Sequence, residues 1–166
     1  MYRAATWKVL QSGQPVTDAY ILQVVHDTHI SLENVHGEMR VKVDGEDVTG
    51  EIRTPAVTAL VSHVAQLASV REKMVFLQRE MAKSGAVVMD GRDIASNVLP
   101  GADVKVFLTA SIEARAKRRW LDVKAKGYAV DIEELKRDIE ARDKADMERA
   151  VSPLVRVPEA VLLDTT

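Results

Sequence analysis

Three short apolar runs in the second half of the chain, at residues 86–89, 104–108 and 160–163, are separated by stretches with the 3.6-residue period of helices. That alternation constrains the fold more than any other feature. Strands apolar without a break are buried on both faces, and helices between them make parallel crossovers, so a parallel α/β sheet is expected. The helices have readable starts. Ser111 caps one expected to run to about Lys126-Gly127, and Asp131, with Glu134 three residues on, caps another that ends before Pro153.

The first half reads differently. Residues 1–10 form a helix with Ala4, Trp7 and Leu10 on one face. Between 18 and 53 the period is two: Tyr20, Leu22 and Val24, then Ile30 and Leu32, then Met39, Val41 and Val43. With turns at Asp27-Thr28 and from Asn34 to Gly37, this predicts a three-stranded antiparallel meander. Thr54-Pro55 then supplies an N-cap and a proline for a helix striped by Val57, Leu60, Val61, Val64 and Ala68. Ser69-Val70-Arg71-Glu72 reads as a capping box for another, striped by Val70, Met74, Leu77 and Met81 and closed by Ser84-Gly85. Trp7, Trp120 and the methionines are expected in the core. The all-β stretch reads as an insert on an α/β core.

At 166 residues the chain suffices for one domain with one core, and 46% hydrophobic with 29% charged residues excludes wholesale disorder. A formal net charge of −2 argues against a bulk polyanion such as duplex DNA or an anionic membrane, while leaving room for a local basic pocket. There is no cysteine, so no disulfide, thiol nucleophile or thiolate metal site. No apolar run approaches the roughly 20 residues of a membrane helix, and no signal-peptide pattern opens the chain. A soluble, cytoplasmic monomer is expected. The first helix has no lead-in and the last strand stops three residues before Thr166, so the chain is also expected to be a fragment.

Asp90-Gly91-Arg92-Asp93 directly follows an apolar run, and open α/β sheets bind ligands beyond the carboxyl ends of their strands. Gly91 permits a tight turn, Arg92 offers a planar fork to a phosphate, and Asp93 can accept from an exocyclic amine, as in readout of cytosine N4. Alone, it reads more readily as a surface turn with a local ion pair. Arg142, Asp146 and Arg149 fall at i, i+4 and i+7, which places them on one helical face with the arginines about 10 Å apart along the axis. Asp146 then sits where it can orient both guanidiniums or meet a ribose hydroxyl. Alone, it reads better as a solvated helix laced with i,i+4 pairs. Arg115, Lys117, Arg118 and Arg119 form a third basic group, readable either as a site or as surface.

Gly45-Glu46-Asp47-Val48-Thr49-Gly50 has the G-x-x-x-x-G spacing of a P-loop, but Glu51-Ile52 stands where Lys and Ser/Thr are needed, so it is a decoy. His26 and His29 flank a turn with no third ligand in register, so no metal site is expected. His63 lacks a paired nucleophile.

In chain order, these segments resemble the bacterial cytidylate kinases. The resemblance runs through Met1-Tyr2-Arg3, Gly45 to Thr54, Ser62 with Arg71, Asp90-Gly91-Arg92-Asp93-Ile94 and Lys105 to Ser111. It continues through Arg142-Asp143, Arg149-Ala150-Val151-Ser152-Pro153-Leu154 and Leu163-Asp164-Thr165-Thr166. It implies a P-loop nucleoside monophosphate kinase fold, a parallel sheet with helices plus a small antiparallel CMP-binding insert. Residues 1–17 would be a core helix, 18–84 the insert, and 85–166 the α/β core with a lid near 118–130. By the same resemblance Ser62, Arg71 and Asp93 would read cytosine, Arg142 and Asp146 would hold the pentose, and Arg3, Arg92 and Arg149 the phosphates. Arg118, with Arg92 and Arg149, would attend the transferred phosphoryl. The implied reaction passes a phosphoryl from ATP, with Mg²⁺, to CMP or dCMP; the alternatives are a non-catalytic CMP-binding fragment and another monophosphate kinase type. The family's first strand, P-loop and first helix are expected to precede Met1, and its last helix to follow Thr166. Ala95-Ser96-Asn97 departs from the family's usual Gly-Thr-Val after the GRD.

Overall fold

Ala4, Ala5, Trp7 and Val9 are buried along one helix, α1 (Tyr2–Gln11), and half-buried Leu10 packs beside them. The computed structural model describes residues 1–125 and 127–166, which form two compact units, Met1–Gly85 and Ala86–Thr166. Lys126, the expected end of a helix, lies outside the described residues. The architecture is mixed α/β, with a small antiparallel sheet in the first unit and a parallel strand pair with helices in the second.

In the first unit α1 packs on α2 (Asp18–Asp27) and α3 (Pro55–Val64). The helical state of α2 corrects the strand expected through Tyr20, Leu22 and Val24. Thr17 caps it by accepting from the Tyr20 N–H, and Ile21 and Val25, four residues apart, are the buried pair, while Leu22 is exposed. His26 therefore ends a helix rather than flanking a hairpin. The meander is β1 (Ile30–Val35), β2 (Glu38–Val43) and β3 (Glu46–Asp47), joined by two-residue turns. His36-Gly37 and Asp44-Gly45 have positive φ at both positions, which makes both turns the primed type that suits strand twist. The decoy glycine Gly45 is thus a hairpin residue.

Asp44 also ties the meander to α1. Its carboxylate accepts from the His29 N–H at 2.8 Å and meets Lys8 Nζ at 2.7 Å. The Lys8 bond, then the His29 N–H, hold the Asp44 pKa below the usual aspartate value. A depressed folded pKa gives stability that is present above the unfolded value of about 4 and is lost as pH falls through the lower folded value. The pair is partly exposed, so Asp44→Asn is expected to cost about 0.5–1 kcal/mol at pH 7. In urea melts that difference should close as the pH is taken below 4.

Thr54 caps α3 through the Val57 N–H with Pro55 in the first turn, as the sequence predicts. Val57, Val61 and Val64 are buried, but the helix stops there, so Ala68 opens the next helix instead of completing this stripe. In α4 (Ala68–Ala82) the N-cap is Leu67, without a side-chain cap bond. The Ser69 capping box does not form, because the helix begins one residue before that serine. Val70, Met74 and Val75 are buried, Leu77 is packed at the edge, and Gly85 takes the left-handed conformation that closes the segment. Lys73 Nζ donates to the carbonyls of Val25, His26 and Thr28, pinning the end of α2 to α4.

In the second unit β4 (Val106–Thr109) pairs in parallel with β5 (Val161–Asp164), Val106 opposite Val161 and Thr109 opposite Asp164. Between them lie α5 (Ile112–Ala125) and α6 (Ile132–Glu148). Ser111 Oγ accepts from the Ala114 N–H, and Asp131 from the Glu133 N–H, so both expected N-caps form. Two expectations fail here. Residues 86–89 form no strand: Ala86 has φ 52°, Val88 is fully exposed, and β4 has β5 as its ladder partner. Without a ladder an apolar run has nothing to make it a strand. Nor are β4 and β5 buried on both faces, since Val106, Leu108, Val161 and Leu163 stay half exposed. The cause is packing, because α5 and α6 pack chiefly on each other rather than on the strands. Met39 and Met147 are likewise exposed rather than in the core. Among the described residues no helix is long and apolar enough to cross a membrane.

Candidate functional site

The densest charge cluster is in the second unit, where the Asp90-Gly91-Arg92-Asp93 turn meets the end of α6. Gly91 is demanded by space: a Cβ there would lie 2.8 Å from Ile94 Cγ1. The chain then winds into a single π-turn, Ile94–Val98, in which the N–H groups of Asn97 and Val98 both donate to the Asp93 carbonyl, at 2.9 and 3.1 Å. This turn carries Arg92 and Asp93 toward α6.

Four charged side chains interlock there. Arg92 Nε donates to Asp146 Oδ2 at 3.0 Å, and Arg149 Nη1 donates to Asp146 Oδ1 at 3.3 Å. Arg149 Nη2 lies 3.6 Å from Asp93 Oδ1. The Arg149 side chain is 6% exposed and Asp93 7%, against 14% for Asp146 and 46% for Arg92. The helical spacing predicts Asp146 between Arg142 and Arg149; it is found bridging Arg92 and Arg149. Arg149 is also no longer helical. It is the extended C-cap of α6, and its Nε donates to the Ser152 carbonyl at 2.6 Å, which helps fold the Ser152-Pro153-Leu154 segment back on the helix. The Leu154 N–H completes that return by donating to the Asp146 carbonyl at 2.8 Å.

Arg142 stands beside this group. Burial, and then the neighbouring positive charge of Arg92, pull its pKa below the usual arginine value, with Asp146 acting in the opposite sense. Its Nε is buried and has no hydrogen-bond partner among the described residues. Three guanidiniums, from Arg92, Arg142 and Arg149, thus face two carboxylates, from Asp93 and Asp146. A buried donor left over there calls for an acceptor oxygen, and the surplus positive charge around it suits a ligand that also carries an anion.

A cleft of about 670 Å³ adjoins the cluster, bordered by Gly91, Arg92, Arg115, Arg118, Asp143 and Thr165. Arg115 is paired with Asp143 at 2.6 Å. Arg118 bonds Thr165 at both its hydroxyl and its carbonyl, so α5 is fastened to the end of β5.

The remaining candidates lie in the first unit. Arg3 Nη1 donates to the Ile52 carbonyl and the Thr58 hydroxyl, both at 3.0 Å. Arg71 is 2% exposed, donates to the Ala65 carbonyl at 3.1 Å, and lies 5.3 Å from the centre of the Tyr2 ring. Ser62 is half-buried on α3. Asn97, which the sequence shows only as part of the departure at 95–97, donates from Nδ2 to Asp93 Oδ2 at 3.2 Å; the signal for that contact was a polar side chain four residues past the aspartate.

The described residues hold no group of three or more His, Asp or Glu placed for a metal ion. The one G-x-x-x-x-G spacing is spent on the β2–β3 hairpin and its exit, with Glu51-Ile52 behind it.

A cytidylate kinase family model matches residues 1–166. The chain is 46% identical over 168 residues to a cytidylate kinase of Symbiobacterium thermophilum, covering 100% of this chain and 74% of that protein. It is 50% identical over 167 residues to the cytidylate kinase of Geobacillus thermodenitrificans, with 75% of that relative covered. A similar protein is the cytidylate kinase of Desulfitobacterium hafniense, 48% identical over 167 residues and covered to 72%.

Proposed function

Because the chain belongs to the cytidylate kinase family, we propose that the charge cluster of its second unit receives the acceptor nucleotide, CMP or dCMP, for phosphorylation to the diphosphate. The observation that carries this is the buried Nε of Arg142 beside Arg92 and Arg149, a donor-rich pocket with more cations than anions. Arg92 and Arg149 take the phosphate, Arg142 and Asp146 the pentose, and Asp93 accepts from the 4-amino group of cytosine. Arg118 attends the transferred phosphoryl from α5. A nucleotide role for Arg3, Ser62 and Arg71 rests on the family resemblance, as does the assignment of 18–84 to the monophosphate-binding insert and of 118–130 to a lid.

The acceptor phosphate oxygen is already an anionic nucleophile, so a general base is not needed. What the protein contributes is placement and neutralisation of charge by fixed guanidiniums. A site of arginines without a histidine fits that demand. In the family's reaction ATP with Mg²⁺ supplies the phosphoryl; the residues of this chain answer to the acceptor half. The reading is of a monomeric cytoplasmic enzyme with small-molecule partners. A chain that binds CMP without turning it over shares every feature of the acceptor site and differs only in the assay discussed below.

Asp93→Asn tests the base assignment against a uridylate-type site. An amide can donate to the 4-keto group of uracil where the carboxylate only accepts. Calorimetry should show CMP affinity falling about tenfold and UMP affinity rising toward it. Unchanged preference for CMP would refute the contact.

A further inference from the structure

Two apolar runs of the second unit line the same cleft of about 670 Å³, and both have backbone groups to spare. In β4 the carbonyls of Lys105 and Thr109 accept from the Val161 and Thr165 N–H groups, at 3.0 and 2.9 Å, so these residues face β5. Backbone groups alternate in direction along a strand, which turns the N–H and C=O of Val106 and Leu108 to the opposite edge. Among the described residues that edge has no ladder partner, and both side chains stay half exposed. The other run, 86–89, enters the cleft at Met89. Among the described residues no backbone group from Ala86 to Met89 takes part in a hydrogen bond, and Val88 is fully exposed.

We infer that this cleft is a strand slot: its occupant is an apolar β-strand of about five residues from outside residues 1–166, laid along the Val106–Leu108 edge with the 86–89 run as its other neighbour. Extended backbone satisfies the free N–H and C=O groups, and apolar side chains cover Val88, Val106 and Leu108. The strand lies parallel to β4, as β5 does, and one enclosed between two parallel neighbours is apolar throughout. Two strands alone make a marginal sheet; the added strand and the 86–89 run make four. The relatives offer a source for it. They match this chain along its whole length and are covered only to 72–75%, so each holds about a quarter of its sequence without a counterpart here. The inference does not depend on the nucleotide reading, since the β4 edge carries none of the charged site residues.

The test is amide hydrogen exchange of the 166-residue chain, with and without the unmatched quarter of the Geobacillus thermodenitrificans relative supplied as separate polypeptide. Alone, the Val106 and Leu108 amides should exchange as freely as those of 87–89, while the β5-facing amide of Phe107 is slower. With the added polypeptide, exchange at Val106, Leu108 and 87–89 should slow at least about a hundredfold. Val106→Pro removes an N–H directed at the slot and spares the β5 side, and should cut that gain at least about tenfold. Unchanged exchange of the wild type on adding the polypeptide overturns the inference, whether or not Val106→Pro folds. Protection of Val106 and Leu108 that grows with the concentration of the chain alone also overturns it, because the occupant is then a second copy. A full gain in folded Val106→Pro refutes pairing along β4.

Discussion

Arg149→Ala is expected to destabilise the second unit by about 3–5 kcal/mol, the usual result of removing one partner from a buried ion pair. The reasoning is local. The Arg149 side chain is 6% exposed and is shared by Asp93 and Asp146. Its removal takes a cation from two largely buried carboxylates, and it also frees the Ser152 carbonyl that Arg149 Nε binds. Asp146 keeps Arg92, which is half exposed and so a weaker compensation. Urea unfolding should show the lower midpoint, and the double variant Arg149→Ala with Asp93→Asn should recover part of the loss, because one of the two uncompensated negative charges is then gone. If Arg149→Ala unfolds like the wild type, the interlocked cluster is not what holds the turn to α6. Arg149→Lys would retain the charge but not the fork that spans both acids, and should fall between.

The second large effect is catalytic. The 166-residue chain should form CDP from CMP and ATP at a rate lower by at least about 10⁴-fold than a family member that carries a P-loop. The loss of a single preorganised charge-stabilising donor costs about 10²–10³, and this chain supplies no P-loop lysine, no backbone cradle and no Mg²⁺-binding hydroxyl at that spacing. A coupled assay for ADP release settles the matter. Near-normal turnover would mean that the triphosphate is gripped by side chains other than those a P-loop provides.

Some of this was legible in the sequence and some was not, for physical reasons. The caps at Thr54, Ser111 and Asp131 are local hydrogen bonds and could be read directly. The strand expected through Tyr20, Leu22 and Val24 could not, because a run of β-branched and aromatic residues fits both periods. What decides is the burial of Ile21 and Val25 against α1 and α4, which is tertiary. The Asp44-Gly45 dipeptide carries a hairpin signal, but the P-loop-like spacing from Gly45 to Gly50 masks it, and the turn emerges only in the structure. Residues 86–89 show the opposite limit: an apolar composition licenses a strand, but only a neighbouring ladder makes one. In the site, the residue types at Arg92, Asp93, Arg142, Asp146 and Arg149 were readable. Their partnering was not, since Arg92 and Asp146 are 54 residues apart. Helical periodicity pairs Asp146 with Arg142, whereas the π-turn after Asp93 delivers Arg92 to it. Asn97 was hidden by the same turn, whose shape no local pattern announces.

The most direct measurement is the affinity of the wild-type chain for CMP, set against UMP and AMP under one buffer and salt concentration. Selective binding of CMP, with heat that disappears in Arg142→Ala, is what an acceptor site built on that half-buried arginine predicts. Equal or undetectable binding of all three nucleotides would contradict it.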